Sequence, residues 1–348
     1  MLVYVAKRLL LMIPTLVGIL FVSFVIIQFV PGGPVEQLVR ELRGGLGGGE
    51  VAATGGYRGA QGVDPQQIEE IRRMYGFDRP AHERFLTMLR NYAVFDLGTS
   101  YLHHKSVWAL IVEKMPVSIS LGLWSFLLVY VVSIPLGIAK AVRHGSRFDL
   151  WTSVAILVGY AIPGFVLGVL LLVLFGGGTF WQIFPLRGLT SDDFDQLSIV
   201  GKVLDYFWHL AMPLACLVVG SFAVTTMLTK NTFLEEIRKQ YVLTARAKGL
   251  SERRVFYKHV FRNALIPLVT AFPAAFIGAF FTGSLLIETL FSLDGLGLLS
   301  YEAVIRRDYP VVLGTLYVFS LLGLIAKLLT DLAYTWVDPR VKFTAGAR

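Results

Sequence analysis

The chain has 348 residues, of which 55% are hydrophobic and only 16% are charged. One soluble core of this size uses less apolar material, so the composition indicates a polytopic membrane protein. A net charge of +8 is compatible with nucleic-acid binding, but the basic residues cluster at the ends of apolar runs, which argues against that class.

Six apolar segments approach the roughly 20 residues that a helix needs to cross about 30 Å of hydrocarbon. They are predicted near 9–30, 116–139, 152–175, 208–228, 268–290 and 311–333. We expect an all-α fold with six transmembrane helices, because backbone polar groups in lipid must be satisfied within each segment. The first segment follows Lys7 and Arg8 and lacks a cleavage site, so residues 1–30 are interpreted as an uncleaved anchor.

The charges of the short loops predict the orientation of the chain. The 140–150 loop has three basic residues and one acidic residue, whereas the 176–207 loop has two basic and four acidic residues. Because basic loops stay on the cytoplasmic side, the 229–267 loop, the 334–348 tail and both termini are expected there. The chain is therefore expected to cross a membrane several times.

The 31–115 connection is expected on the external, periplasmic side. Its 44–62 part contains nine glycines and is predicted to be a flexible insertion. From Asp64, an N-cap candidate, a proline and apolar residues at helical spacing predict a short surface helix. This region is interpreted either as a lid without a specific partner or, preferably, as an element near the external mouth.

The 229–267 loop is the most basic segment of the chain. From Lys230 to Arg262, nine Lys and Arg residues oppose three Glu residues. An apolar residue recurs every fourth position, which predicts one helix with a single apolar stripe. The members of this stripe are Phe233, Ile237, Tyr241 and Ala245.

A tight turn and a second helix are predicted to follow. Gly249 is expected to end the first helix in a left-handed conformation. Ser251 is expected to cap the next helix with its side chain, and Glu252 is favourably placed in the first turn. The residues alone leave two interpretations open, which are a docking surface for a soluble partner and a pair of helices lying on anionic lipid.

Catalytic, cofactor and metal sites are not predicted on this chain. Residues 176–179 and 201–203 come nearest to a phosphate loop, but neither matches GxxxxGK[ST]. The adjacent His103 and His104 cannot converge on one metal ion. The single cysteine, Cys216, excludes an intrachain disulfide.

Three ionisable residues lie at predicted membrane depth and need an explanation. Lys327 and Asp331 are one helical turn apart near the end of the last span, so we expect them to pair or to reach the membrane surface. Glu288 lies near the outer end of the fifth span. For Glu288, a functional role and structural hydrogen bonding are equally open.

Residues 244–267, TARAKGLSERRVFYKHVFRNALIP, resemble the signature cytoplasmic loop of permease subunits in bacterial ABC importers for dipeptides and oligopeptides. The chain also resembles the first of the two permeases of such importers at 7–10, 13–16, 31–34, 287–291, 293–297, 307–310 and 337–340. The Pro-Gly-Gly-Pro and Ser-Leu-Asp-Gly-Leu-Gly motifs resemble the Yej-type branch, which is linked to uptake of microcin C-like and other peptides. The 44–62 tract matches no family motif.

The resemblance implies a type I importer permease of a bacterial inner membrane with its core at 116–333, which imports oligopeptides and performs no covalent chemistry itself. It implies a second permease, a separate ATPase that binds ATP and Mg²⁺, and a periplasmic peptide-binding protein. It implies contact with the ATPase through Tyr241, Ala245, Arg246, Lys248, Gly249, Ser251 and Glu252. It also implies an external gate or re-entrant loop at Glu288, Phe291, Asp294, Gly295 and Gly297.

Two other classes of membrane protein predict different features. An ion-coupled secondary transporter is the alternative, but it predicts paired broken helices and midplane carboxylates, which the sequence does not show. A structural membrane scaffold predicts no ATP-dependent uptake when the chain is combined with an ATPase.

Overall fold

The computed structural model describes residues 2–29, 78–176, 180–281 and 285–337. Within these ranges the regular structure is helical, with one isolated bridge between Thr99 and Ser106, in agreement with the all-α prediction. The glycine tract at 44–62, the helix predicted from Asp64 and most of the 334–348 tail lie outside the described residues. The predicted division of the chain at 30, 115 and 333 stays a prediction.

Twelve helical segments of the described chain position the rest of the structure. In chain order they are α1 (Leu2–Phe29), α2 (Ala81–Ala93), α3 (Val107–Val142), α4 (Arg147–Ala161), α5 (Gly164–Gly176), α6 (Ile199–Ile237), α7 (Gln240–Ala247), α8 (Glu252–Ala264), α9 (Ile266–Phe281), α10 (Leu285–Leu290), α11 (Leu296–Ile305) and α12 (Tyr309–Val337). The last turn of α5 and the middle of α8 are π-helical.

Four of these helices, α1, α3, α6 and α12, are long and apolar enough to cross a membrane. The pairs α4–α5 and α8–α9 bring the total to six if each bent pair is one span. The span predicted at 152–175 is bent, because α4 and α5 meet at an angle of 89°. A proline disfavours helical backbone angles at the residue that precedes it. Ile162 precedes Pro163 and is extended, with φ −88° and ψ 117°.

Helix α6 exceeds its predicted span of 208–228 at both ends. Its 39 residues correspond to a length of about 58 Å, against about 30 Å of hydrocarbon. The helix therefore continues into the segment that was predicted as the 229–267 loop. Of the predicted span at 268–290, the structure describes helical residues up to Phe281, in α9, and from Leu285, in α10, and residues 282–284 lie outside the described residues.

The chain divides into two compact units. The first contains residues 1–8, 113–299 and 322–348, and the second contains residues 9–112 and 300–321. In the first unit, α6 packs against α4, α5, α8 and α10. One apolar cluster of this unit, called the Phe233 cluster below, consists of Ala141, Phe233, Val242, Ala245, Val255, Val260 and Ala264.

Asp331 of α12 has partners in α1 rather than the expected neighbour on its own helix. Its Oδ2 atom accepts a hydrogen bond from the Tyr4 hydroxyl at 2.9 Å and lies 2.8 Å from the Arg8 guanidinium. The expected pairing with Lys327 is therefore not the contact that fixes this carboxylate. The ion pair joins the first and last helices within the first unit.

Asp308 anchors the second unit. The carboxylate is buried and accepts hydrogen bonds from the Ser100 hydroxyl at 2.5 Å and from the backbone N–H of Tyr101 at 3.0 Å. It lies directly before α12, where Gly314 allows close packing, since a Cβ atom there would be 2.7 Å from Val107 Cγ1. The acid of the Arg-Asp-Tyr-Pro motif thus holds the 100–102 loop against the start of α12.

We predict that Asp308→Ala destabilises the protein. The change leaves the buried Ser100 hydroxyl and Tyr101 N–H without their acceptor, at a cost of about 1–3 kcal/mol. Thermal unfolding of the purified protein in detergent measures the effect. Asp192→Ala is the matched control, because Asp192 is exposed and its loss should change stability by less than about 0.5 kcal/mol. Equal melting temperatures for the two variants would contradict the anchoring role.

Candidate functional site

The turn between α7 and α8 is built on Gly249. Its φ is +77°, which confirms the predicted left-handed conformation. The Gly249 N–H donates to the Arg246 carbonyl at 2.9 Å and the Leu250 N–H donates to the Ala245 carbonyl at 3.3 Å, which is a Schellman termination. No described atom lies within 4 Å of the position of a Cβ at Gly249. The requirement for glycine therefore comes from the backbone angle and not from a lack of space.

An ion pair closes this turn. The Arg246 guanidinium contacts both carboxylate oxygens of Glu252, with Nε to Oε1 at 2.9 Å and Nη2 to Oε2 at 3.0 Å. Ser251 occupies the N-cap position of α8, but its side chain accepts no N–H of that helix within the described chain, so the expected cap is wrong. Both partners of the ion pair are exposed, and the pair therefore orients the turn more than it stabilises it.

Tyr241 joins three helices through its hydroxyl. The hydroxyl donates to Glu236 Oε2 of α6 at 2.5 Å and accepts from Asn263 Nδ2 of α8 at 3.2 Å. Burial and the contact with the Glu236 carboxylate raise the pKa of Tyr241 above its usual value. Sequence periodicity indicated only the apolar side of this residue and missed the polar contacts.

The predicted single helix with a stripe from Phe233 to Ala245 is broken. Helix α6 ends at Ile237, and Lys239 before α7 has an extended backbone with ψ 149°. The stripe residues still meet, because Phe233 and Ala245 both belong to the Phe233 cluster. Ala245 is buried there, so it packs the inner side of α7 against the cluster, whereas Lys248 is exposed.

The predicted gate residues form a compact turn around a buried carboxylate. Glu288 is 0% exposed, and its Oε2 atom accepts the Leu298 N–H at 2.7 Å. The Ser118 hydroxyl of α3 accepts the Leu296 N–H at 2.9 Å, so two side chains cap the start of α11. A Cβ atom at Gly295 would lie 2.7 Å from the Glu288 carboxyl group. These contacts favour the structural interpretation of Glu288.

The other gate residues divide between the core and the surface. Phe291 is buried in the apolar core, whereas Asp294 is exposed and forms an ion pair with Lys114 of α3. Gly297 lies inside the first turn of α11, so the non-helical part of the expected gate ends at Gly295. Lys114 and Ser118 were not predicted, although their spacing of one helical turn places them on one face of α3.

A cavity of about 990 Å³ lies within the first unit, between α3, the α4–α5 bend, α6, α9 and α10. Its volume is at the upper end of the range for ligand-binding cavities. Six lining residues carry hydroxyl groups, and these are Ser118, Ser125, Tyr130, Tyr160, Ser221 and Thr225. Among the described lining residues, the charged one is the buried Glu288, so the accessible wall is neutral.

Comparisons with known proteins place the chain in a family. A profile described as binding-protein-dependent transport system inner membrane component matches residues 133–343. The chain is 57% identical to the peptidoglycan transport system permease protein YejB of Agrobacterium fabrum, over 98% of each chain. It is 52% identical to the inner membrane ABC transporter permease protein YejB of Escherichia coli O157:H7, also over 98% of each. It is 33% identical to the di/tripeptide transport system permease protein DppB of Pseudomonas aeruginosa, over 98% of this chain and 99% of that protein.

These relatives confirm the resemblance to Yej-type permeases that the motifs indicated. They support the role of an ABC permease and not the alternative of an ion-coupled transporter. The family is a membrane component and is not itself catalytic. The apolar helices and the matching profile together show that the chain belongs to the family of binding-protein-dependent transport system inner membrane components.

Proposed function

We propose that this permease imports oligopeptides in an ATP-driven complex. The names of several relatives support this substrate class, because they are permeases for dipeptides, tripeptides or oligopeptides. Peptides derived from peptidoglycan are a second candidate, since the 57% identical relative is named for peptidoglycan transport. The two candidates share one chemistry, which is a chain of amide groups.

The coupling surface carries the mechanistic proposal. We propose that the exposed side of the α7–α8 turn, around Lys248 and Gly249, contacts an ATPase subunit that binds ATP and Mg²⁺. Tyr241 and Ala245 would support this surface from its buried side. The remaining proposed partners are a second permease and an external peptide-binding protein, with α7, α8 and both termini in the cytoplasm as the loop charges predict.

The proposed cycle is a change between two states that is biased by nucleotide and substrate. A displacement of α7 and α8 would pass to α6 through the Phe233 cluster, because its members pack in a buried interior. The cavity beside α6 would open to alternate sides of the membrane. The turn around Glu288 and Gly295 would form its outer boundary.

Uptake into proteoliposomes tests the proposed function. The complete complex should accumulate a labelled tripeptide only with ATP inside the compartment that holds the ATPase, and a parallel sample should use a peptidoglycan-derived peptide. Uptake of neither compound would refute the substrate class. Uptake of only the second compound would select the peptidoglycan-derived candidate.

We predict that Gly249→Val uncouples ATP hydrolysis from uptake. A left-handed conformation costs a non-glycine residue roughly 1–2 kcal/mol, and more for a β-branched one, so the turn should distort. Uptake and ATP hydrolysis measured together reveal the defect. Gly249→Asn is the matched control, because asparagine tolerates this conformation and should retain most activity. Normal uptake by the assembled valine variant would contradict the prediction.

We predict that Lys248→Glu weakens association with the ATPase. Arg246 is already paired with Glu252, so Lys248 is the cleaner probe of the exposed charge. A reversed charge in an interface can cost several kcal/mol, and co-purification of the ATPase measures the loss. Lys105→Glu makes the same charge change at an exposed position in the second unit and should leave co-purification unchanged. Equal recovery of the ATPase with both variants would show that Lys248 does not lie in the interface.

We predict that Ser221→Trp blocks peptide passage. The indole would extend from α6 into the cavity, while the Phe233 cluster and the α7–α8 turn stay intact. Uptake should therefore fall while ATPase association persists. Leu157→Trp on α4 is the control, because Leu157 is exposed and lies outside the cavity lining. Full uptake by the Ser221 variant would show that the peptide takes another route.

A further inference from the structure

Lys140, near the end of α3, is buried with every N–H of its ammonium group satisfied. Its side chain is 0% exposed. The Nζ atom donates to the Asp149 carbonyl at 3.0 Å, to Thr152 Oγ1 at 2.7 Å and to Ser153 Oγ at 2.8 Å. The same atom lies 3.2 Å from Asp149 Oδ1. Because a buried charge is tolerated only when it is paired and hydrogen-bonded, these contacts fix the end of α3 to the start of α4.

Asp149 extends this contact to a third helix. Its two carboxylate oxygens lie 2.7 and 2.9 Å from Lys230 Nζ, near the C-terminal end of α6. Oδ2 also accepts the Gly145 N–H at 3.2 Å and lies 3.3 Å from His144 Nδ1. A single carboxylate on α4 therefore binds lysines from α3 and α6.

The backbones of α3 and α6 touch beside this carboxylate. A Cβ atom at Gly137 would lie 2.6 Å from Thr229 Cβ and 2.8 Å from the Thr226 carbonyl oxygen. Such an approach is possible only for glycine, and Gly137 is one helical turn from Lys140. Any sliding of α3 along α6 would have to break both this packing and the lysine contacts.

The charged contact lies next to the supports of the α7–α8 turn. Ala141 follows Lys140 on α3, and Phe233 lies one turn after Lys230 on α6. Both belong to the Phe233 cluster, which also contains Val242 of α7 and Val255 of α8. The lysine–carboxylate contact thus connects the base of α7 and α8 to three helices of the first unit.

We infer that Lys140, Asp149 and Lys230 are positioning residues that make α3, α4 and α6 move together with α7 and α8. The inference rests on the proposed function, because it assigns the step by which a displacement of the turn reaches the cavity. A buried ion contact contributes little net stability when compared with apolar packing, but it restricts the arrangement of its partners. Hydrogen bonds of 2.7–3.0 Å are lost after displacements of about 1 Å, so these helices cannot shift separately.

Lys230→Met tests the inference in the complete complex with its second permease and ATPase. The change removes the charge and keeps an unbranched apolar side chain. We expect assembly and ATP hydrolysis to persist, while the number of peptides imported per ATP falls about five- to tenfold. Lys230→Arg keeps the charge and can reach Asp149, so it should restore a ratio near that of the wild type. Unchanged ratios in an assembled Lys230→Met complex would overturn the inference.

Arg8→Met is the matched structural control. It also breaks an ion pair between two helices of the first unit, the pair with Asp331, but neither Arg8 nor Asp331 is a member of the Phe233 cluster. The number of peptides imported per ATP should stay unchanged. A similar fall in both methionine variants would show that the lysine–carboxylate contact acts only through general stability. If Lys230→Met fails to assemble, Asp149→Asn combined with Lys230→Met removes both charges of the pair and is tested for the same fall.

A distance measurement separates this inference from the substrate assignment. The single Cys216 is replaced by serine, and spin labels are placed at Val142→Cys and Ala247→Cys, which are exposed ends of α3 and α7. In the otherwise unchanged complex, the distance between the labels should be equal with and without ATP. With Lys230→Met added, it should depend on nucleotide. A nucleotide-dependent distance without Lys230→Met, or a constant distance with it, would overturn the inference whether or not any peptide is transported.

Discussion

Hydrocarbon offers no hydrogen bonds, so each polar group at membrane depth must find its partner within the protein. Among the described residues, the threonine hydroxyls that donate to the carbonyl group four residues earlier at 2.7–2.8 Å include those of Thr15, Thr229, Thr270, Thr315 and Thr330. The buried charges follow the same requirement with more distant partners. Lys140 uses acceptors on α4, and Glu288 caps α11. Polar residues therefore determine which helices stay together.

Helix α6 links several of these contacts within the first unit. Its 39 residues line the cavity near Ser221, carry Lys230 into the contact with Asp149, and end in the Phe233 cluster below α7. A continuous helix transmits displacement well because all its interior backbone hydrogen bonds must stretch together. The two π-helical turns, in α5 and α8, lie on segments that pack against it. Such turns are frequent at functional sites.

Local chemistry explains which features were predictable from the sequence. Hydropathy indicated the apolar segments, and the glycine after a helical stretch indicated the left-handed turn at Gly249. Periodicity missed the extended backbone at Lys239, which breaks the predicted stripe helix, whereas Pro163 marks the 89° bend before α5. The partner of Asp331 lies more than 300 residues away in sequence, at Arg8, and a pattern of neighbouring charges points to Lys327 instead. Spacing along the sequence therefore does not identify a partner that lies on another helix.

The chemistry of the cavity is consistent with a route for peptides of varied sequence. The constant part of a peptide is its amide backbone, and a hydroxyl group can donate to the carbonyl or accept from the N–H. Among the described lining residues the charged one, Glu288, is buried and bonded to Leu298, so this part of the wall presents no accessible charge that would hold or repel particular side chains. Passage requires binding that is weak enough to release the solute. A neutral wall of apolar side chains with interspersed hydroxyl groups fits that requirement, and under the proposed function selection among peptides would rest with a partner outside the route.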